Sequence, residues 1–192
     1  MTKSILLIRH AKVEIDDRQR IDSASLNAWV QSYDNACICT ESLPSDETIA
    51  LVQGTEFVLS STLKRAIDSA KVLGVELAEK NPLFNEAAIP QINIPLLKFY
   101  PKTWLVILRL MLFVGLGQKE TSLKVSKAQA QKASDRLDSL SQEYASIALV
   151  GHGAMNWLIG KALVQRGWEI ESKEGHGNWS VTRLTKITKE AL

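Results

Sequence analysis

Three short, unbroken apolar runs punctuate the chain: Ile5-Leu6-Leu7-Ile8, Phe57-Val58-Leu59 and Ile147-Ala148-Leu149-Val150. Runs of this length without polar alternation predict strands buried on both faces, as in a parallel sheet covered by helices. Between them the apolar spacing becomes helical. Leu63, Ala66, Ile67, Ala70 and Leu73 form one stripe, with Ser60 or Ser61 as its N-cap and Gly74 as its end. Leu26 to Val30 with Tyr33 predict a helix, and residues 47–53 a shorter one. Val125, Ala128, Ala133, Leu137 and Leu140 predict a long amphipathic helix over 121–144. Met155, Leu158, Ile159, Ala162 and Leu163 predict another that stops before Gly167. Val75-Glu76-Leu77 is a candidate strand, and the alternation of Val181, Arg183 and Thr185 against Thr182 and Leu184 predicts a strand in 180–185. Pro44, Pro82, Pro90 and Pro95 mark turns or irregular chain. Strands alternating with helices predict an α/β fold with a mostly parallel sheet.

One stretch departs from this rhythm. Residues 104–117 are almost wholly apolar, interrupted by Arg109 and broken by Gly115 and Gly117. A bilayer span needs about 20 apolar residues, so no transmembrane segment is expected. A buried cap helix is the first reading, because a helix apolar all round is usually buried. A lid lining a substrate pocket and a membrane- or partner-binding surface stay open.

Composition adds limits rather than a function. The 192 residues suit one domain with a sizeable core, and no internal repeat divides them. The 23 basic and 21 acidic residues leave a net charge of +2, too balanced to predict nucleic-acid binding. Any anion affinity must come from local clusters. Cys37 and Cys39 form no CxxC pair and read as free thiols in a reducing compartment, with a secreted protein carrying one disulfide as the alternative. With no secretory pattern at the N-terminus, they point to a cytoplasmic location. Nothing in the sequence signals an oligomeric state.

Each buried-strand run ends in polar chemistry. Arg9-His10 follows the first, Ser60-Ser61 and then Arg65 the second, and Gly151-His152-Gly153 the third. Parallel strands would carry all three sets to the carboxyl edge of the sheet, where open α/β sheets place ligands. Two arginines can fork around a phosphate, two histidines can supply a nucleophile and a neighbouring donor, and helix starts add N–H groups aimed at an anion. Arg65 in a first helical turn opposes the helix dipole, and such local violations are expected at functional sites. His10, His152 and His176 could instead ligate a metal. The arginines argue against a cation, and no acidic set completes the ligands. No metal or other cofactor is expected.

These motifs resemble those of the histidine phosphatase superfamily, the phosphoglycerate mutase-like proteins. The Arg-His-Gly signature after strand one is matched by Arg9-His10-Ala11. The second signature is matched by Ser60-Ser61-Thr62-Leu63-Lys64-Arg65-Ala66, with Ala70 where a small residue is usual, and the late His-Gly signature by Gly151-His152-Gly153. The resemblance implies a three-layer α/β/α domain over 1–192 with a helical cap inserted at about 87–120. It also implies that His10 attacks phosphorus and becomes phosphohistidine, while Arg9, Arg65, His152 and Gly153 bind the phosphoryl oxygens. Glu86 would be the proton donor, with Glu79 as the rival position. Asn178, before the last strand, fits the pattern as well. Ser61, Asp16, His176 and Asn178 are the remaining candidates for the substrate pocket.

Two departures shape the functional expectation. Ala11 replaces a glycine and is small enough to be tolerated. Mutases of the family carry a hydroxyl residue and then an asparagine where this chain has Val13 and Asp16. A phosphomonoesterase acting on a small phosphorylated substrate or a phosphopeptide is therefore expected. A mutase-like phosphotransferase and a phospho-ligand-binding protein without turnover are the alternatives. The apolar 104–117 stretch hints at a substrate with an apolar part.

Overall fold

A computed structural model describes residues 2–88, 94, 96–114 and 123–187. The first half of the chain runs β1 (Thr2–Arg9), β2 (Ile21–Asp22), α1 (Ser23–Asn35), α2 (Asp46–Gln53), β3 (Phe57–Ser60), α3 (Lys64–Val72) and β4 (Glu79–Lys80). The second runs β5 (Lys98–Phe99), α4 (Pro101–Phe113), α5 (Leu123–Leu140), β6 (Ser146–Gly151), α6 (Gly153–Val164), β7 (Glu169–Glu174) and β8 (Val181–Ile187).

The main sheet has the order β4-β3-β6-β1-β8-β7. Its first four strands are mutually parallel, whereas β8 runs antiparallel to β1 and β7 antiparallel to β8. The three apolar runs are its central strands, and their alternating side chains build two cores. Ile5, Leu7, Leu59, Ile147 and Leu149 face α5 and α6, packing with Leu137, Ile159 and Leu163. Leu6, Ile8, Val58, Ala148 and Val150 face α2 and α3, packing with Val52, Ala66 and Leu73. Burying such a side chain contributes roughly 1.5–3 kcal/mol, so a sheet lined on both faces holds the three layers together. The fold is a three-layer α/β arrangement with a mostly parallel sheet.

A third cluster lies apart. Trp104 and Leu108 of α4 pack against Leu26 and Trp29 of α1, and the Trp104 indole donates to Ile21 O (2.8 Å), beside the small β2–β5 ladder. The apolar α4 is thus half buried, not buried all round. Trp104, Leu108 and Leu112 face inward, while Val106, Leu110 and Val114 are exposed. Gly115 and Gly117 lie outside the described residues, as does part of the expected 87–120 insertion.

Other expectations shift. Residues 75–77 form no strand; the short edge strand β4 follows at Glu79–Lys80, where Glu79 and Lys80 pair with Leu59 and Ser60. Neither Ser60 nor Ser61 caps α3. Leu63 occupies the cap position without a side-chain cap bond, because Ser60 Oγ donates to Ser61 O and Ser61 Oγ bonds His152. The strand expected in 180–185 extends from Val181 to Ile187, and β7 beside it is almost wholly exposed, so it has no apolar signature to read.

Candidate active site

The carboxyl ends of β1, β3 and β6 lie side by side. Arg9 is level with Gly151 and Ser60 with Val150, and His10 N donates to Gly151 O (3.0 Å). The three polar sets therefore meet at one edge. His10 is 3 % exposed, and its ring lies 5.1 Å from that of the fully buried His152.

His10 is held in one tautomer. Its Nδ1 lies 2.6 Å from Ala11 O, and a carbonyl can only accept, so the neutral ring carries its proton on Nδ1 and leaves the Nε2 lone pair available. Burial, with Arg65 and Arg9 nearby, pushes the His10 pKa down to about 3. A buried imidazole among guanidinium groups is neutral at physiological pH. Backbone anchors fix the loop around it: Ala11 N donates to Ser69 Oγ (2.8 Å), and Asn178 Nδ2 donates to His10 O (2.8 Å). Asn178 thus supports the histidine loop instead of lining the pocket.

The arginines have distinct supports. Arg9 lies over the start of α6, where a Cβ on Gly153 would meet its Nε at 3.4 Å, an ordinary contact distance. Arg65 is 3 % exposed, donates from Nη1 to Asp34 Oδ1 (2.6 Å), and lies over the Tyr33 ring at 4.9 Å. Burial pushes the Tyr33 phenol pKa up. Among the described residues, Arg9 Nε and Arg65 Nε are buried without a hydrogen-bond partner. Buried donors left open are costly, and an anion between the two guanidiniums would satisfy them. Burial and the neighbouring Arg109 lower the Arg9 pKa, as expected where cations crowd together away from water.

His152 is the N-cap of α6. Its Nε2 lies 2.7 Å from Ser61 Oγ, and its buried Nδ1 has no partner. A Ser61 hydroxyl that donates to Nε2 would leave the ring proton on Nδ1, where a phosphoryl oxygen could accept it. Burial first, then Arg65, pushes the His152 pKa well down.

Glu86 is brought to the same edge by a braced loop. Gln129 Nε2 donates to Leu83 O and Asn85 O, and Thr62 N donates to Asn85 Oδ1. The carboxylate accepts from Met155 N (3.0 Å) in the first turn of α6 and from Arg109 Nη2 (3.2 Å). Arg109, which interrupts an apolar stretch in the sequence, is thus a third cation at the site, delivered by α4. Arg109→Ala is expected to lower kcat about 10-fold, the effect of a misplaced acid–base group, and Arg109→Lys to recover part of it; unchanged kcat would remove Arg109 from the positioning of Glu86. The rival Glu79 is taken up by Arg136 (2.6 Å) and Asn81, and the Arg136 bond holds its pKa low.

The structure does not bring every candidate together. Asp16 is exposed and borders a separate depression with Glu14, Ile15 and Arg18. His176 is exposed at the rim of a cavity that also touches Arg9, Gly153 and Arg109. Conversely, Tyr33, Asp34, Ser69, Arg109 and Asn156 carry no local motif that would have marked them. Asn156 Nδ2 donates to Ile8 O (3.0 Å), tying α6 to β1. A Cβ on Gly151 would come 2.5 Å from Asn156 Oδ1. Gly151→Ala is therefore expected to break that tie and cost about 1–3 kcal/mol, read as a lower urea midpoint; a midpoint unchanged within error would show that Asn156 relaxes freely.

No protein-family model matches this sequence, and no curated protein is significantly similar to it. Solved structures are similar. The phosphoglycerate mutase of Bacillus anthracis superposes with a TM-score of 0.63 at 14% identity, over 96% of this chain and 88% of that one. This chain has the phosphoglycerate mutase-like α/β fold. Two phosphatases agree with it. A mycobacterial glucosyl-3-phosphoglycerate phosphatase gives a TM-score of 0.60 at 16% identity, covering 94% of this chain and 92% of that one. The phosphoserine phosphatase of Entamoeba histolytica gives 0.57 at 14%, covering 94% and 89%. The shared fold accounts for the meeting of the three strand ends, and the chemistry rests on the side chains found there.

Proposed function

We propose that the protein is a phosphomonoesterase that passes a phosphoryl group to His10 and then to water. The observation that carries this reading is the state of His10: neutral, with Nδ1 committed to Ala11 O and Nε2 left available among guanidinium groups. Nε2 attacks phosphorus as the ester P–O bond breaks, and the leaving oxygen takes a proton from Glu86. Arg9, Arg65 and His152 hold the three equatorial oxygens, where preorganised donors act most strongly. An incoming phosphate competes with Glu86 for Arg109 and turns that carboxyl toward the leaving oxygen. Water then attacks phosphohistidine, Glu86 accepts its proton, the P–N bond breaks and inorganic phosphate leaves. None of these steps calls for a metal.

Hydrolysis is favoured over transfer to a second substrate by the loop after His10. Val13 is buried and bridges to Ile38, and Asp16 is turned to solvent, so neither offers a hydroxyl or amide to a phosphate. A binding protein without turnover would not need an available Nε2. The test is a rapid-quench experiment with a radiolabelled aryl phosphate. Acid-labile, alkali-stable label on His10 that chases into inorganic phosphate is expected. Chase into an added alcohol or phosphoglycerate would establish a phosphotransferase instead, and absence of label with every phosphomonoester tried would overturn the reading.

A further inference from the structure

Two cavities flank the phosphoryl site and share Arg109, and their charges differ. The one under the cap, about 510 Å³, has Asp34 and Glu86 in its wall, paired there with Arg65 and Arg109, so its charges balance. The other, about 970 Å³, opens from Arg9, Gly153 and Arg109 and follows the cleft between α5 and α6 as far as Gln165. Among the described residues no Asp or Glu lines it, whereas Lys127 and Lys161 stand along it beyond the two arginines. Its apolar surface comes from Leu123, Ala154 and Leu158, with Trp157 beside the Lys161 ammonium (3.8 Å from the ring). At 1.5 Å per residue, the α6 wall from Gly153 to Gln165 is about 18 Å long, far longer than a phosphoryl group.

A leaving group has two ways to lie, and charge separates them. An anionic body under the cap would meet two arginines already neutralised by carboxylates; the same body along α6 would meet Arg9, Lys127 and Lys161 and, among the described residues, no carboxylate. We propose that the α5–α6 cleft holds the leaving group, and that the substrate is an elongated phosphomonoester with an apolar body and a second anionic group that reaches Lys127 and Lys161. This rests on the phosphatase reading above for the position of the scissile phosphate. Glu86 is compatible with it, since the amide of Met155, one residue beyond the Ala154 wall, holds its carboxylate.

The test compares decyl phosphate with decanediol bisphosphate, a matched pair that differs only in a second phosphate at the far end. Wild-type kcat/KM, corrected for the two equivalent ends, is expected to be ~10-fold higher for the bisphosphate, the sum of two modest surface ion pairs. That ratio should fall toward one in the Lys127→Gln/Lys161→Gln double variant, and should shrink as salt is raised. Calorimetric binding of the same pair to His10→Ala supplies a readout that needs no turnover and should show the same preference. A wild-type ratio near one, or a ratio that survives the double variant, overturns the inference while leaving the phosphatase reading intact. Failure of every phosphomonoester to label His10 overturns that reading instead, and the binding preference in His10→Ala still decides whether the cleft takes a second anion.

Discussion

Replacing His10 with alanine is expected to lower kcat toward an aryl phosphate by about 10⁴-fold or more, the loss typical when a nucleophile is removed. The expectation follows from the single ring nitrogen left available for attack, because Nδ1 is bonded to Ala11 O. No neighbouring group can substitute: His152 Nε2 is engaged with Ser61, and Arg9 and Arg65 are cations. Phosphate binding should survive within a few-fold, since Arg65 keeps its supports in Asp34 and Tyr33 and neither arginine leans on His10 through a hydrogen bond. His152→Ala is the informative contrast. It should cost ~10²–10³-fold, the scale of one lost transition-state donor, and should still form phosphohistidine, only slowly. A His10→Ala protein that retains a tenth of wild-type turnover would end the nucleophile assignment.

How much of this was legible in the sequence divides along a physical line. The strand ends were legible because buried parallel strands are continuous apolar runs, and the Arg9-His10, Ser61-Arg65 and His152 groups follow them directly in the chain. The sheet's parallel register then had to carry them to one edge. Asp34 and Arg109 were not legible. Each belongs to a helix read only for its apolar face, and each reaches the site through packing of α1 against α4, which no local spacing encodes. Strand β7 was missed because an exposed edge strand keeps no apolar alternation, and β4 because a two-residue strand is set by its neighbour. The expected serine cap of α3 failed for a chemical reason: both hydroxyls are spent elsewhere, one of them on His152. Asp16 failed for a geometric one, as the loop after His10 turns outward once Val13 is pinned beside Ile38.

The same two histidines that serve the site should make the protein sensitive to acid. In the unfolded chain an imidazole takes up a proton as pH falls through its ordinary value of 6.5, whereas folded His10 stays neutral down to about 3. His152 is displaced in the same direction by its burial. The unfolded state therefore binds more protons throughout that window. Each histidine can remove up to about 1.4 kcal/mol of stability per pH unit below 6.5 and nothing above it. Urea midpoints should hold steady from pH 8 to about 7 and then fall steadily toward pH 4. Phosphate should oppose the fall, because an anion between the arginines binds the folded state and offsets the positive charge that adds to burial in keeping these rings neutral. His152→Asn should flatten the acid limb even where it lowers stability at pH 7. Ring resonances of His10 and His152 followed by NMR should report neutral imidazole at pH 5 in the free protein. A His10 ring that titrates near 6.5 would mean an open, solvated site in which Nε2 is not reserved for phosphorus, and would remove the physical basis for treating it as the nucleophile.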